Sequence, residues 1–200
     1  KKIELRPNYN VAPSQVMPVI TASDDGQRNL EMMKWGIPRF LGKDTIKELI
    51  NTRADKAFGG FWKKTVCSRR CLIPANGFYE WKGSAGNKTP YFIHPKQEKL
   101  FAFAGIWYTW KSEDGHEVKV YSIMTTEPNK EMRSIHNREP VMLHREDEAS
   151  WIEPSNNDQS ALERLLYPYE HNGLEIYEVD RAVNAATNNN NRLFLPLGSQ

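Results

Sequence analysis

The chain has 200 residues, of which 39% are hydrophobic, 11% aromatic and 26% charged. This composition predicts a soluble globular protein with a sizeable core. The length, with no internal repeat or composition break, predicts one domain spanning residues 1–200. The formal net charge of +2 excludes a polycation that binds nucleic acid by bulk charge alone. No apolar run approaches the roughly 18 residues of a membrane span, so no membrane partner is expected.

The N-terminal part of the sequence is dominated by short strand patterns. Residues 16–21 and 30–35 are apolar segments on either side of a polar turn at 24–26, which predicts a β-hairpin. Pro38 follows this hairpin and is expected to end it, because proline removes a donor from the strand ladder. Residues 54–64 read as a short helix that is weakened by two adjacent glycines.

Further strands follow until the pattern changes near the C-terminus. Two strand pieces lie within residues 71–81, around an Asn-Gly turn. Residues 100–110 and 118–126 are the strongest strand patterns, and the polar residues between them predict a hairpin loop. Residues 146–152 and 160–166 then show helical spacing. Because strands dominate and helices are short, the expected class is α+β with a mostly antiparallel sheet.

The cysteines and histidines do not predict a metal site. Cys67 and Cys71 are spaced CxxxC, which is neither a redox CxxC pair nor half of a typical zinc site, so we expect the reduced thiols of a cytoplasmic protein. Four of the five histidines share no spacing. The sequence also has no P-loop, GxGxxG or GxSxG pattern, so neither a metal nor a cofactor is predicted.

A few polar residues stand within apolar or turn-rich segments and are candidates for chemistry. Asn51 and Arg53 follow an apolar pair. Glu80 lies between two aromatic residues, which predicts a desolvated carboxyl whose raised pKa lets it act as acid or base near neutral pH. The alternative is a strand-edge glutamate with its carboxylate in water. His136 and Arg138 flank an asparagine, and His136 is either a catalyst or an ordinary loop histidine.

Aromatic and basic residues are interleaved in the first half of the chain. Such a mixture suits single-stranded nucleic acid, since bases stack on rings and phosphates pair with cations. The alternative is that the tryptophans belong to the core and the charges to a solvated surface, and composition does not decide between the two. The set comprises Trp35, Phe40, Trp62 and Trp81 with Lys34, Arg39, Lys63, Lys64, Arg69 and Arg70.

Several motifs occur in order along the chain. They are YNVAPSQ (9–15), WGIPRF (35–40), INTRAD (50–55), RRCLIP (69–74), GFYEW (77–81), FAGIW (103–107), TT (125–126) and IHNREPV (135–141). With these motifs the chain resembles the SOS-response-associated peptidase (SRAP) family, the abasic-site processing proteins, over residues 6–197. The resemblance implies the fold of that family, which is α+β with a mostly antiparallel, barrel-like β core and a few short helices.

The same resemblance implies a sensor of abasic sites in single-stranded DNA. Family members form a covalent crosslink to the open-chain aldehyde of the abasic sugar. They use a cysteine that becomes N-terminal when the initiator methionine is removed, a step attributed to the protein itself. The product is a thiazolidine, which shields the lesion. The implied partner is single-stranded DNA with abasic sites, and we expect a cytoplasmic monomer, associated with the nucleoid if the source is bacterial.

Individual residues receive roles from the resemblance. Glu80 would move protons at the attacking amine and the carbinolamine. His136 would help open the sugar ring and reverse the crosslink, and Asn51 would orient the amine or a sugar oxygen. Arg53 and Arg138 would hold phosphates beside the lesion. The full implied DNA-binding set is Pro13, Trp35, Pro38, Arg39, Phe40, Arg53, Arg70, Trp81, Thr125 and Arg138.

The sequence departs from the family pattern at two places. The chain opens at Lys1, without the Met-Cys start of the family. A thiazolidine takes its nitrogen and sulfur from one residue, so Cys67 and Cys71, whose nitrogens are amides, cannot replace that cysteine. Glu139 stands where the family usually has an apolar or basic residue, and its charge is expected to weaken phosphate binding at Arg138. Two alternatives stay open: a non-catalytic module that binds single-stranded DNA, and a peptidase that acts on other proteins.

Overall fold

The structure, a computed structural model, describes residues 3–40, 46–60, 62–84, 86–111, 114–170 and 172–199, and the side chains of Phe40 and Ile46 lie outside this description. The described residues form thirteen β-strands, four short α-helices and two 3-10 turns. None of these helices is long and apolar enough to cross a lipid bilayer.

Strands make up most of the regular structure. They are β1 (Val16–Ala22), β2 (Arg28–Trp35), β3 (Ile37–Phe40), β4 (Ile46–Leu49), β5 (Asn51–Arg53), β6 (Arg70–Ala75), β7 (Phe78–Ser84), β8 (Asn87–Pro95), β9 (Phe101–Lys111), β10 (Glu117–Thr126), β11 (Glu139–Pro140), β12 (Met142–Leu143) and β13 (Leu174–Glu178). The helices are α1 (Ala54–Ala57), α2 (Trp62–Ser68), α3 (Asp147–Ile152) and α4 (Gln159–Glu163), and the 3-10 turns are Met132–Ser134 and Arg181–Asn184. The predicted α+β class is confirmed.

The largest sheet curls into a barrel-like core. Its strands pair in the order β11-β10-β2-β1-β6-β9-β12, with β5 added beside β10, and β9 also pairs with β10. Closure of this barrel is partial, because β1 meets β6 only at Ile20–Leu72 and β10 meets β2 through two residue pairs. Among the described pairings of this sheet, those of β10 with β2 and β5 are parallel and the rest are antiparallel. The expected mostly antiparallel, barrel-like core is therefore confirmed.

Both hairpins that the sequence predicts are present. β1 and β2 pair along their full length in one register. β9 and β10 pair from Gly105–Ile123 to Lys111–Glu117, and their connecting loop includes residues 112–113, which lie outside the described part. In both hairpins the turn residues bring consecutive strands together, so the pairing follows from local sequence.

Strand β9 separates two apolar layers because its side chains alternate between the two faces of the sheet. Ala104 and Ile106 face a cluster that α3 and α4 cover with Trp151 and Leu162. Phe103 belongs to the cluster on the other face. The strand is buried over its first six residues, so the barrel wall is packed on both sides here.

A second sheet, ordered β13-β8-β7, carries Glu80 on β7. The two strand pieces predicted within residues 71–81 are both present, but they do not pair with each other. β6 pairs with β1 and β9 in the barrel, whereas β7 pairs with β8. The chain therefore leaves one sheet for the other at this turn. Gly77 permits the crossing, because a Cβ atom there would lie 2.1 Å from the ring of Phe92.

The β1–β2 hairpin ends before Pro38, as predicted, because β2 stops at Trp35. Pro38 itself lies within β3, which pairs with β4 in a two-stranded ribbon where a missing donor is tolerated. Two other boundaries differ from the sequence predictions. The helix predicted at 54–64 is instead two helices, α1 and α2, with Gly60 between them at φ +53°. α4 ends at Glu163, short of the predicted end.

Arg70, at the start of β6, fastens two helices to the barrel. The residue is 5% exposed, and its guanidinium donates to five backbone carbonyl groups. The acceptors are the oxygens of Val66, Cys67, Trp151, Glu153 and Asn156. These carbonyls lie at or beyond the C-terminal ends of α2 and α3, where a positive charge is favourable. The structure therefore corrects the prediction that Arg70 contacts DNA, because its donors are buried and already used.

Arg70→Met should lower the free energy of unfolding by about 3 kcal/mol or more, because the buried carbonyl groups would lose a charged donor and no water could replace it. Urea denaturation at pH 7 measures the change. Arg39→Met is the matched control, since Arg39 is exposed on β3, and it should change stability by less than about 1 kcal/mol. Equal effects of the two substitutions would contradict the structural role of Arg70.

Candidate active site

Two residues from motifs far apart in sequence meet at the surface. The Nδ1 atom of His136 lies 4.0 Å from Oε2 of Glu80. Glu80 comes from β7 of the second sheet, and His136 follows the 3-10 turn Met132–Ser134. The Glu80 side chain is 24% exposed and that of His136 is 42% exposed, so both are half-buried and still accessible to a ligand. The structure thus brings these two predicted site residues together, and a common groove that also contains Asn51 stays a prediction.

The ring of His136 is held by the backbone of Arg138. Its Nδ1 atom lies 3.2 Å from the Arg138 N–H and 3.1 Å from the Arg138 carbonyl oxygen. A neutral ring with its proton on Nε2 accepts from the N–H, whereas a protonated ring donates to the carbonyl or to Glu80. Either proton arrangement keeps the ring in place. The second carboxylate oxygen of Glu80, Oε1, accepts from the Trp81 N–H at 3.1 Å.

A buried carboxylate organises the loop that carries His136. Glu139 is 1% exposed, and its two oxygens accept from the backbone N–H groups of Asn129 and Tyr169 at 2.9 and 2.7 Å. The Asn129 side chain in turn accepts from the N–H of Met132, where the 3-10 turn begins. Each buried N–H left without an acceptor would cost about 1–3 kcal/mol. The carboxylate thus serves a buried network, and the expectation that its charge weakens phosphate binding at Arg138 stays a prediction.

Strand β5 presents Asn51 and Arg53 on one face. Both are exposed, and Thr52 between them is buried with its hydroxyl 2.9 Å from that of Ser122. The parallel register on β10 places Asn51 beside Ile123 and Arg53 beside Thr125. No hydrogen bond within the described residues joins Asn51 to Glu80 or His136. The role of Asn51 in their pocket stays a prediction.

Two guanidinium groups share the carboxylate of Asp55. Arg53 donates to it through Nε at 3.0 Å and Nη2 at 2.7 Å, and Nη2 of Arg138 lies 3.5 Å from Oδ1. The hydrogen bonds from Arg53 lower the pKa of Asp55 below its usual range, so the carboxylate stays ionised at neutral pH. We call Arg53, Asp55 and Arg138 the guanidinium pair and its bridging carboxylate. Glu127 also interacts electrostatically with both arginines, so the exposed donors of Arg53, and not an excess of positive charge, are what the group offers to an anion.

Arg138 is held more firmly than Arg53. Its side chain is 18% exposed, against 57% for Arg53, and its Nη2 donates to the Thr125 carbonyl at 2.5 Å. Its Nε nitrogen is buried and has no hydrogen-bond partner among the described residues. Burial lowers the pKa of Arg138, although a guanidinium stays charged at any ordinary pH. Arg138 thus forms the fixed half of the pair.

Two further members of the predicted DNA-binding set are committed to the fold. Trp35 donates its indole N–H to the Ile50 carbonyl at 2.9 Å and stacks on Tyr121. Thr125 is 6% exposed, and its backbone pairs with both β5 and β11. The burial of Thr125 argues against direct DNA contact by that side chain, whereas Trp35 is half-buried and its DNA contact stays a prediction.

The remaining members of the set are still available to a ligand. Pro13 and Arg39 are exposed, and Pro38 is half-buried. Trp81 is half-buried, and its indole N–H donates to Oδ1 of Asn184 at 2.7 Å, which leaves part of the ring accessible. The side chain of Phe40 lies outside the described part of the chain. For these residues DNA contact stays a prediction.

The C-terminal region joins the N-terminal segment to the strand of Glu80, which the sequence analysis did not foresee. The amide of Asn10, 6% exposed, donates to the carbonyl oxygens of Val183, Ala185 and Asn188 at 3.0–3.1 Å. Val183 belongs to the 3-10 turn Arg181–Asn184, and the last residue of that turn, Asn184, accepts the indole N–H of Trp81. The asparagine run at 188–191 was one local signal, because asparagine side chains favour such turns and caps.

The bridging role of Asp55 was also missed. It belongs to the motif INTRAD and stands two residues after Arg53, which is a local signal for their ion pair. Its second partner, Arg138, lies far away in the sequence, so only the fold could show it. The thiols take no part in this site: burial raises the pKa of Cys71 well above its usual range, and Cys67 is half-buried on α2.

Comparisons with known proteins agree on one group. The family model described as SOS response associated peptidase (SRAP) matches residues 1–186. The abasic site processing protein YoqW of Bacillus subtilis is 40% identical over 195 residues, which covers 95% of this chain and 86% of that protein. The abasic site processing protein HMCES of Gallus gallus is 27% identical over 227 residues, covering 96% and 67%. A solved protein structure from Bacteroides thetaiotaomicron superposes with a TM-score of 0.78 at 27% identity, covering 92% and 82%.

The buried carboxyl of Glu139 should make stability depend on pH in a defined direction. Burial raises its pKa above the ordinary 4.5, and its two backbone hydrogen bonds oppose that shift without cancelling it. The folded state therefore holds the proton of Glu139 more tightly than the unfolded chain does. Its contribution to stability is full below pH 4.5 and is lost as the pH rises through the folded pKa.

The unfolding free energy of the native chain, measured relative to Glu139→Gln, should therefore fall as the pH rises from 4 to 8. Urea denaturation at several pH values tests this. Glu117→Gln, at an exposed position of β10, controls for the removal of one carboxylate. A difference between the native chain and Glu139→Gln that grows with pH would contradict the assignment.

Proposed function

This chain belongs to the SRAP family, and we propose that it processes abasic sites in single-stranded DNA with Glu80 and His136. The observation that carries the proposal is their 4.0 Å contact, formed between a strand of the second sheet and the loop that precedes β11. Four relatives of this chain at 38–40% identity, three of them from Bacillus subtilis and one from a Bacillus phage, bear the name abasic site processing protein. A half-buried acid–base pair beside a cationic group suits a lesion that carries both an aldehyde and phosphates.

DNA would be held by the guanidinium pair. A flanking phosphate can accept from Arg53, whose side chain is 57% exposed, while Arg138 stays fixed beneath it. A guanidinium suits this role because its planar donors match two phosphate oxygens at once. Asp55 keeps the two cations together before DNA arrives, which lowers the entropic cost of forming the site.

The chemistry would begin at the ring-opened sugar, whose C1′ aldehyde is an electrophile. An amine adds to C1′ to give a carbinolamine, and loss of water then gives a Schiff base. Glu80 can deliver the proton that the departing hydroxyl needs and take one from the amine. His136, held at Nδ1, can present Nε2 to the sugar oxygen during ring opening. Asn51 would orient the amine or that oxygen from β5.

A stable crosslink needs a further group. If the amine belongs to an N-terminal cysteine, its thiol adds to the C=N bond and closes a thiazolidine, with no atom lost in that step. Neither Cys67 nor Cys71 has the required α-amine, and Cys71 is buried. The crosslink is therefore proposed for a form of the protein that begins with cysteine. Removal of the initiator methionine is proposed for the same form. The 200 residues themselves are proposed to recognise the lesion.

The phosphate contact can be tested through salt. Arg53→Ala should weaken binding to abasic single-stranded DNA and reduce the slope of log K against log[salt] by about 0.7, the contribution of one phosphate contact on a single strand. Fluorescence anisotropy titrations between about 50 and 200 mM salt measure both the affinity and the slope. Lys99→Ala, at an exposed position before β9 that is outside the predicted nucleic-acid-binding residues, should leave the slope unchanged. An unaltered slope in Arg53→Ala would remove Arg53 from the interface.

The acid–base role can be tested by adduct formation. The 200-residue chain should bind abasic DNA without an adduct that survives denaturant, whereas a version that begins with cysteine should form one. In that version, Glu80→Ala should slow the reaction by about 10²-fold or more while affinity stays nearly constant. Glu117→Ala serves as the control on the far end of β10.

Denaturing electrophoresis over a time course separates the outcomes. A heat-stable adduct with the 200-residue chain would show that another nucleophile acts. Binding without an adduct in the cysteine version would favour the non-catalytic alternative.

A further inference from the structure

A cavity of about 530 Å³ opens beside the guanidinium pair. It lies where the end of β10 meets the residues after α1 and the helix α4. Arg138 and Asp55 form part of its wall, so a strand held at the guanidinium pair passes its mouth. The volume is within the range of small-ligand sites, which is about 300–1,000 Å³. Neither the acid–base pair nor the phosphate contact uses this space.

The cavity has apolar surfaces and an aromatic ring. Phe58, directly after α1, is half-buried and packs on the main core cluster. Leu166 is 6% exposed, and Pro168 completes the apolar part of the lining. A ring and aliphatic groups together suit a flat heteroaromatic ligand, because such a ligand gains stacking and apolar burial at the same time.

The polar lining is rich in hydrogen-bond acceptors. Both oxygens of Asp55 are already engaged by the guanidinium pair. Glu127 lines the cavity and accepts no hydrogen bond from a described residue, although its charge interacts with those of Arg53 and Arg138. Glu163 accepts from the Gln159 amide through Oε1 at 2.8 Å, and no described residue donates to its other oxygen. A phosphate is repelled by these carboxylates, so the chemistry calls for an uncharged ligand that carries N–H donors.

We infer that this cavity receives a nucleobase of the bound strand next to the lesion and that it favours guanine. Guanine presents two neighbouring donors, N1–H and N2–H, which one carboxylate can accept together. Adenine and cytosine place a ring-nitrogen acceptor beside their amino group, and thymine places its one N–H between two carbonyls, so a carboxylate meets repulsion in each. The inference rests on the proposed function, because the phosphate held by the guanidinium pair tethers the base.

Arg138 also lines the cavity and brings a positive charge to it. Its Nε is shielded from solvent and has no hydrogen-bond partner among the described residues, so we assign no ligand contact to that atom. Guanine has an acceptor, O6, on the edge that carries its two donors. A carboxylate together with a nearby positive charge therefore complements that edge, whereas a lysine or arginine side chain from a protein partner would find acceptors but meet the charge of Arg138.

Abasic single strands that differ in one flanking base test the inference. Each strand carries a tetrahydrofuran abasic analogue in a thymine background, with guanine, adenine, cytosine or thymine on its 5′ or 3′ side, and an intact strand is measured alongside. Fluorescence anisotropy at constant salt gives the Kd of each. Guanine on one of the two sides should improve affinity about tenfold over the other bases, the scale of a good bidentate contact.

The double variant Glu127→Gln/Glu163→Gln should reduce this preference to less than about twofold. A glutamine amide has one acceptor oxygen in place of the two of a carboxylate, so it cannot accept from both guanine donors in the same way. Both positions are exposed, so the variant should fold, and its thermal unfolding verifies this. Glu117→Gln, an exposed glutamate at the start of β10, is the matched control and should keep the preference.

Preferential binding of abasic over intact strands without a guanine preference would overturn the inference and leave the proposed function standing. A guanine preference that survives the double variant would have the same meaning. If the double variant instead binds all four strands more tightly by the same factor, the carboxylates only repel phosphate, and the inference is overturned as well. Failure to bind any abasic strand better than the intact one would overturn both.

Discussion

The buried carboxylate of Glu139 is the interaction on which the candidate site depends. It satisfies two backbone N–H groups that water cannot reach, one at the loop before His136 and one at Tyr169. Those donors need an acceptor wherever the chain places them, and Glu139 supplies it from β11, which pairs with the end of β10. His136 and Arg138 stand immediately before Glu139 in sequence. Their positions therefore follow from a constraint inside the protein rather than from the surface they serve.

Glu80 reaches this place by another route. The chain leaves the barrel after β6 and enters the second sheet at Gly77, where close packing on Phe92 leaves no room for a side chain. The indole of Trp81 binds Asn184, so the strand of Glu80 is tied to the same C-terminal segment that holds Asn10. Three separate parts of the chain thus fix the contact between Glu80 and His136. A contact built in this way is preorganised, which is what the proton transfer proposed for it requires.

Local charge, rather than net charge, gives the interface its character. The formal net charge is only +2, and several cations are neutralised or buried in the fold. Lys34 pairs with Glu48 at 2.6 Å, and Arg70 binds backbone carbonyls beneath the helices. Arg53 and Arg138 are drawn together by Asp55, and the Arg53 side chain stays largely exposed. In the proposed function, a phosphate is bound at this one place and not by the charge of the whole surface.

The sequence alone determined the features that depend on neighbouring residues and on recognisable motifs. Alternating apolar residues around turns specified both hairpins and the α+β class, and the ordered motifs identified Glu80 and His136 together. The tertiary structure decided which charged side chains face solvent. Arg53 and Arg70 look alike in sequence, yet one is exposed and the other is buried under two helices. Burial depends on which distant elements pack together, and that information is spread along the chain rather than held in any one segment.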